Sequence, residues 1–288
     1  MKPAAFDYVA VSTVAEALDA LGSTDEARVL AGGQSLVPLM NLRLARPSLL
    51  VDINGVDELD HVDVADGAVR IGALCRHRRL ELDPEIRLRA PLLTEAASFI
   101  AHTQVRNRGT IGGSLAHGDP VAELGAALLA LDGRVRVRRD GTEREIPAEG
   151  LFDGFFETTL EPGELLVEVL LPSPEPHAGS AFREFAPRHG DFAIVGIAAH
   201  VVRSEDGRCT SARIAGCGLG STPVDLTVAA AALLGQAEPT DALLREVAAA
   251  VGTVVDPPGD VHADAEDRRE LAQLLAVSAL RAAWERTR

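Results

Sequence analysis

The sequence is almost without lysine: Lys2 is the only one in 288 residues. A phosphate loop of the G-x-x-x-x-G-K-[ST] type needs a lysine after its last glycine, so that route to nucleotide binding is closed. In the N-terminal part, no G-x-G-x-x-G follows a strand and opens a helix, which removes the dinucleotide fingerprint as well. Gly216-Cys217-Gly218-Leu219-Gly220-Ser221 carries serine where the third glycine belongs and reads as the close of a strand begun by Arg213-Ile214-Ala215. Cysteine is scarce too. Cys75, Cys209 and Cys217 are too few and too scattered for a disulfide framework or an iron–sulfur cluster, and read as buried free thiols of a cytoplasmic protein. The eight histidines form no H-x-x-x-H or H-E-x-x-H pair, which argues against a metal held by this chain. Gln34-Ser35-Leu36 lacks the glycines of a nucleophile elbow, and no acid–base catalytic set is evident. No basic-then-apolar leader and no apolar run of membrane-spanning length is present. A net charge of −15 excludes nucleic acid and anionic membrane as natural partners, since both reward basic surfaces.

What the sequence does have is two glycine pairs far apart. Ala31-Gly32-Gly33-Gln34-Ser35 follows the apolar Val29-Leu30, and Thr110-Ile111-Gly112-Gly113-Ser114 follows a polar stretch from His102 to Arg108. Glycine allows left-handed backbone and close approach to a ligand, and successive amides in such a turn make a concave nest for an anion. Ser35, Thr110 and Ser114 add hydroxyls. Two nests suggest one diphosphate ligand gripped by two loops that meet; the alternative for each pair is a plain turn. The stretch HTQVRNRGTIGGSLAHGDP is too polar for a buried strand and too long for a tight turn, as expected of a functional loop. His102 and His117 flank it, and read as solvated loop histidines or as phosphate contacts.

Val14, Ala17, Leu18 and Leu21 recur at helical spacing, with Gly22 as the stop. A strand over 29–31, a helix over 36–44 capped by Ser35, and a strand over 49–53 complete a small β-α-β unit, residues 1–55. The second unit, 56–176, carries strands near 69–71, 135–137 and 165–171 and helices over 92–101 and 122–131, the last opened by Asp119-Pro120. Pro172-Ser173-Pro174-Glu175-Pro176 is the linker. The third unit, 177–288, has strands over 182–185, 194–202 and 210–217, then helices. The last, over 264–284, puts Leu271, Leu274, Leu275 and Leu280 on one side. Strands followed by helices make this an α+β unit.

AGGQSLVPLMNLRLARPSLLVDI, VRIGALCRH and PLLTEAASFIAHTQVRNRGTIGGSLAHGDPVAELGAALLALDG together resemble the FAD-binding medium subunit of molybdenum hydroxylases. That family includes aerobic bacterial carbon monoxide dehydrogenases and relatives of xanthine dehydrogenase. The resemblance covers essentially the whole chain and implies an α+β, PCMH-type FAD-binding fold: two α/β subdomains, then a C-terminal domain with a three-stranded antiparallel sheet and helices. It implies FAD contacts at Ala31, Gly32, Gly33, Gln34, Ser35 and Leu36 and at Thr110, Ile111, Gly112, Gly113 and Ser114. Ile100 falls on the family's flavin-face position, or is ordinary helix core. Glu123 falls on an acid that hydrogen-bonds the cofactor's sugar or base, or is a first-turn helix acid. A backbone contact falls near Leu166. Arg183 falls where some relatives have lysine near the ring, or is a surface arginine on an edge strand. Arg188-His189-Gly190-Asp191-Phe192-Ala193 matches a segment near the ring without a single assignable role. The resemblance further implies an electron-transfer subunit. It would work with a small [2Fe–2S] subunit and a large molybdopterin subunit as a dimer of heterotrimers, passing electrons to an outside acceptor. A stand-alone FAD oxidoreductase or NAD(P)H reductase on the same fold is the rival reading, and a non-catalytic FAD-binding or assembly protein a third.

Overall fold

In the computed structural model, which describes residues 2–65 and 67–287, three sheets follow one another along the chain. The first is parallel, in the order β1-β3-β2. It comprises β1 (Asp7–Ala10), β2 (Ala27–Leu30) and β3 (Leu49–Asp52), with α1 (Val14–Gly22) and α2 (Leu36–Asn41) as crossovers. Thr13 caps α1 by accepting from the Glu16 N–H, and Val14, Ala17 and Leu21 turn into the small core beneath. Helix α2 stops short of the expected residue 44. Arg43 takes a left-handed φ of 60°, and the N–H groups of Leu44 and Ala45 fold back onto the Leu39 carbonyl.

The second sheet is antiparallel, in the order β4-β5-β10-β6-β7. Its members are β4 (Val62–Ala65), β5 (Ala68–Gly72), β6 (Arg134–Arg139), β7 (Thr142–Pro147) and β10 (Leu165–Pro172); β8 (Phe152–Gly154) and β9 (Glu157–Thr158) form a separate pair. Between β5 and β6 come six helices: α3 (His77–Leu82), α4 (Pro84–Arg89), α5 (Pro91–Phe99), α6 (Thr103–Arg106), α7 (Ile111–His117) and α8 (Glu123–Ala130). The polar stretch read as a loop therefore contains α6 and α7. Asp119-Pro120 does not cap α8: Ala122 holds that position, and the Asp119 side chain instead closes a turn by accepting from the Val121 N–H. Strand β10 is buried along nearly its whole length. Leu165 and Val167 face the first core while Leu166, Val169 and Leu171 face the second, so one strand joins two cores.

The third sheet, order β11-β12-β13-β14, is antiparallel: β11 (Ala178–Phe185), β12 (Val195–Arg203), β13 (Cys209–Cys217) and the two-residue β14 (Val224–Asp225). Three long strands were expected; β14 is a short fourth at the edge. The sheet is covered on both faces, by α5 and α8 on one and by α10 (Ala265–Glu285) on the other, with α9 (Asp241–Val254) packed against α10. That explains the nearly continuous burial of β12. The buried face of α10 consists of Ala272, Ala276, Ala279, Leu280, Ala283, Trp284 and Arg268, with Leu271 and Leu275 packed at its margin; of the four leucines expected on one side, Leu274 points to solvent instead. Alanine at these positions lets the helix axis sit close to the strands.

Candidate functional site

The first glycine loop leaves its donors free. Gly33 holds a left-handed φ of 71°, and the chain turns sharply between β2 and α2. Among the described residues no acceptor takes the N–H groups of Gly32, Gly33, Gln34 or Ser35. Ser35 occupies the N-cap position of α2, but its hydroxyl makes no capping bond, so it too faces outward uncommitted. Leu36 follows as the half-buried first residue of that helix. Gln34 turns its own amide back to donate to the Gly32 carbonyl at 3.0 Å, which fixes the turn.

The second loop is a helix start, and it is largely self-satisfied. Thr110 caps α7 by accepting from the Gly113 N–H at 3.1 Å. Ile111 donates to Cys75, Gly112 to Ala73 and Ser114 to Thr110, all through backbone carbonyls. What remains is the Thr110 N–H and the Ser114 hydroxyl. The two nests expected from the sequence thus become one open nest and one helix terminus with its first-turn amides taken. Gly112 serves packing: a Cβ there would lie 2.6 Å from that of Ala73.

The two loops meet. Gly32 is buried against the backbone of Arg108 and Gly109, where a Cβ would collide with the Arg108 carbonyl. Gly113 faces the Ala31 methyl. Three residues absent from the sequence reading hold this junction. Asn54 donates to the Ala31 carbonyl at 2.8 Å and accepts from Arg76 at 2.7 Å. Arg76 also donates to the Arg108 carbonyl, and so ties the first loop to the second. His77 is buried and, because a carbonyl can only accept, donates from Nε2 to Thr110 at 2.9 Å; burial pushes its pKa down to about 4. Burial, and then the neighbouring Arg108 guanidinium, holds Arg76 below its ordinary value, although Asp60 and Asp52 oppose this. Two guanidiniums crowded at the mouth of an open amide nest make a local anion-favouring field inside an acidic molecule. Arg76 and His77 lie in one of the blocks that carry the family resemblance, but only the folded structure shows what they and Asn54 bond to.

The remaining expected residues lie at varied distances from this junction. Leu166 is buried in β10, on which α7 packs. Ile100 ends α5 at 8% exposure; its carbonyl and that of Ala101 both accept from the buried Arg106. His102 lies against Gly190, bringing the β11–β12 connection onto the end of α5. The ring of His117 sits 5.1 Å from that of Phe156. Glu123 opens α8 and is 7% exposed. Arg183 is committed elsewhere, to Glu95 at 2.8 Å and the Phe182 carbonyl at 2.8 Å.

Comparison with known proteins accounts for both parts of the chain. Residues 4–174 match the family model described as the FAD binding domain in molybdopterin dehydrogenase, and residues 180–283 that of the CO dehydrogenase flavoprotein C-terminal domain. The 6-hydroxypseudooxynicotine dehydrogenase complex subunit alpha of Paenarthrobacter nicotinovorans is 44% identical, over 100% of this chain and 97% of its own length. The caffeine dehydrogenase subunit beta of a Pseudomonas species is 37% identical over 99% and 97%. Among solved structures, a chain of the carbon monoxide dehydrogenase of Hydrogenophaga pseudoflava, in a form lacking the Mo-pyranopterin moiety, superposes with a TM-score of 0.96 at 37% identity. Each chain is covered completely.

Proposed function

The chain belongs to the FAD-binding flavoprotein family of molybdopterin dehydrogenases, and on that footing we propose that it is the electron-transfer subunit of a three-subunit molybdenum hydroxylase. When bound, FAD would take electrons from the [2Fe–2S] clusters of a small partner subunit and pass them to an external acceptor, while a large molybdopterin subunit oxidises the substrate. The reading extends to a dimer of such heterotrimers. Three buried thiols, none of them paired, support a cytoplasmic location.

One observation carries the proposal: four consecutive N–H groups, Gly32 to Ser35, stand without acceptors at a loop packed against Arg108 and Gly109. These residues fit a diphosphate. The open amides would hold one phosphate, the Thr110 N–H and the Ser114 hydroxyl would reach the other, and Arg76 and Arg108 would supply the opposing charge. Ile111, Gly112 and Gly113 shape the second wall rather than donate. The buried Ile100 and Leu166 would give the cofactor apolar cover, and Glu123 would hold a polar group of it. Arg183 acts through Glu95, setting where the end of α5 sits. In this proposal residues 1–55 and 56–176 are the two FAD-binding subdomains and 177–288 the C-terminal flavoprotein domain.

The test is an absorbance spectrum of the purified full chain after FAD addition and desalting. Flavin bands near one FAD per chain are expected. A colourless chain that also co-purifies with no iron–sulfur or molybdopterin subunit would refute the assignment.

A further inference from the structure

Side chains alternate along a strand, so Phe182 and Glu184 share one face of β11. The register sets Glu184 opposite Gly196 and Gly196 opposite Cys217, a single row across three strands. Gly196 leaves no room for a side chain: a Cβ there would lie 2.7 Å from the Cys217 Sγ and 2.9 Å from the Phe182 ring. This face turns toward α5 and α8, and Glu123 stands at the first turn of α8. Among the described residues no other residue hydrogen-bonds to the buried Glu123 carboxyl, and the Glu184 Oε2 is buried without any partner.

Two acids so placed are anomalous unless something else is bound. A buried carboxylate oxygen without a partner forfeits its hydration for nothing in return. Among the described residues no cationic side chain relieves them. Glu123 acts on Glu184, Asp119 ahead of α8 acts on Glu123, and both carboxyls act on the Cys217 thiol of β13. Burial, and then Glu123, pushes Glu184 up to about 8; burial, and then Asp119, pushes Glu123 up to about 7. Burial and both carboxyls push the Cys217 thiol far up, so it stays protonated. The Phe182 ring packs 5.5 Å from that of Phe99, next to Ile100. The pair therefore borders the end of α5 on one side and the segment following the second glycine loop on the other.

We propose that Glu184 is a further residue of the cofactor site, and that Glu184, protonated beside the buried Glu123, donates a hydrogen bond from its unpartnered carboxyl to an acceptor atom of FAD. The inference rests on the FAD-subunit reading above. The free chain loses this proton as pH rises through the range of the pair, whereas the complex keeps it. Above neutrality, FAD binding must therefore draw a proton from the buffer.

Calorimetric titration of the full chain with FAD near pH 8.5, in two buffers of different ionisation enthalpy, measures that proton directly. Uptake of about three quarters of a proton per FAD is expected, with Kd weakening about fourfold between pH 6.5 and 8.5. Glu184→Gln, whose amide donates at every pH, should flatten that rise. Binding by the wild-type chain without proton uptake overturns this inference alone, and so does a Glu184→Gln chain with an unchanged pH slope. If Glu184→Gln does not fold, the wild-type proton count decides by itself. No FAD binding even at pH 6.5 overturns the functional reading along with it.

Discussion

Gly32 is worth considering beside Gly33, because adjacent glycines are needed there for different reasons. Gly33 is needed for its left-handed angle, Gly32 for the room that a missing Cβ leaves against the Arg108 carbonyl. Gly32→Ala should therefore part the two loops, costing about 1–3 kcal/mol of stability and most FAD retention after desalting. An alanine variant that keeps its full flavin spectrum would show that the loops need not touch. His77 gives a prediction in pH. Its folded-state pKa is depressed to about 4, so it contributes stability fully above its unfolded value near 6.5, and that stability is lost as pH falls toward 4. A 2–3 unit shift corresponds to roughly 3 kcal/mol, so urea midpoints should fall across that window and His77→Gln should flatten the fall. The glycine pairs were legible in the sequence because glycine and its neighbours announce themselves locally. Asn54, Arg76 and His77 were not, because their importance comes from carbonyls distant in sequence, and no local pattern encodes a partner.

At the scale of elements, periodicity carried α1, β10 and the strands of the third sheet, where burial on one or both faces imposes a regular apolar pattern. It failed for α6 and α7. Their sequence is polar and glycine-rich, and they stand because Thr110 caps α7 while Cys75 and Ala73 accept its first amides. Thr110→Ala should cost about 1 kcal/mol through the lost cap, read as a lower Tm of the FAD-free chain. The link between loops is a separate device with a separate signature. Arg76→Met removes the bond to Asn54 and the bond to Arg108 together, and should weaken FAD binding about tenfold, the worth of one to two hydrogen bonds involving a charged group. Fluorescence titration should show a smaller loss for Asn54→Ala, which breaks only the tie, than for Arg76→Met, which also removes a charge; the double variant should be little worse than Arg76→Met alone.

Across the whole molecule, Glu95 is the residue that joins what the chain separates. From α5 it accepts from the Phe182 N–H at 3.1 Å, from Arg183 on β11 at 2.8 Å, and from Arg286 just beyond α10 at 2.6 Å. These partners hold its carboxyl below the usual range despite burial, so its contribution is present above the unfolded value and lost as pH falls through the folded one. Glu95→Ala strands two guanidiniums at a half-buried junction and should lower stability by about 2 kcal/mol, a figure discounted for partial exposure. Differential scanning calorimetry would show a lower or split transition; an unchanged thermogram would make the junction dispensable. Sequence reasoning saw the α+β character and strands in three successive stretches of chain, but set Arg183 beside the flavin ring or on the surface. It could not see that the last helix returns to a residue nearly two hundred positions earlier.

The tie from Asn54 through Arg76 to Arg108 also orders events during synthesis. The open amides of Gly32 to Ser35 leave the ribosome early, but the carbonyl against which Gly32 packs and the helix opposite them belong to residues 108–117. A nascent chain truncated between these points has a grip with one jaw. If this grip holds the cofactor as proposed, loading has to wait until residues 108–117 have been made and folded against Gly32.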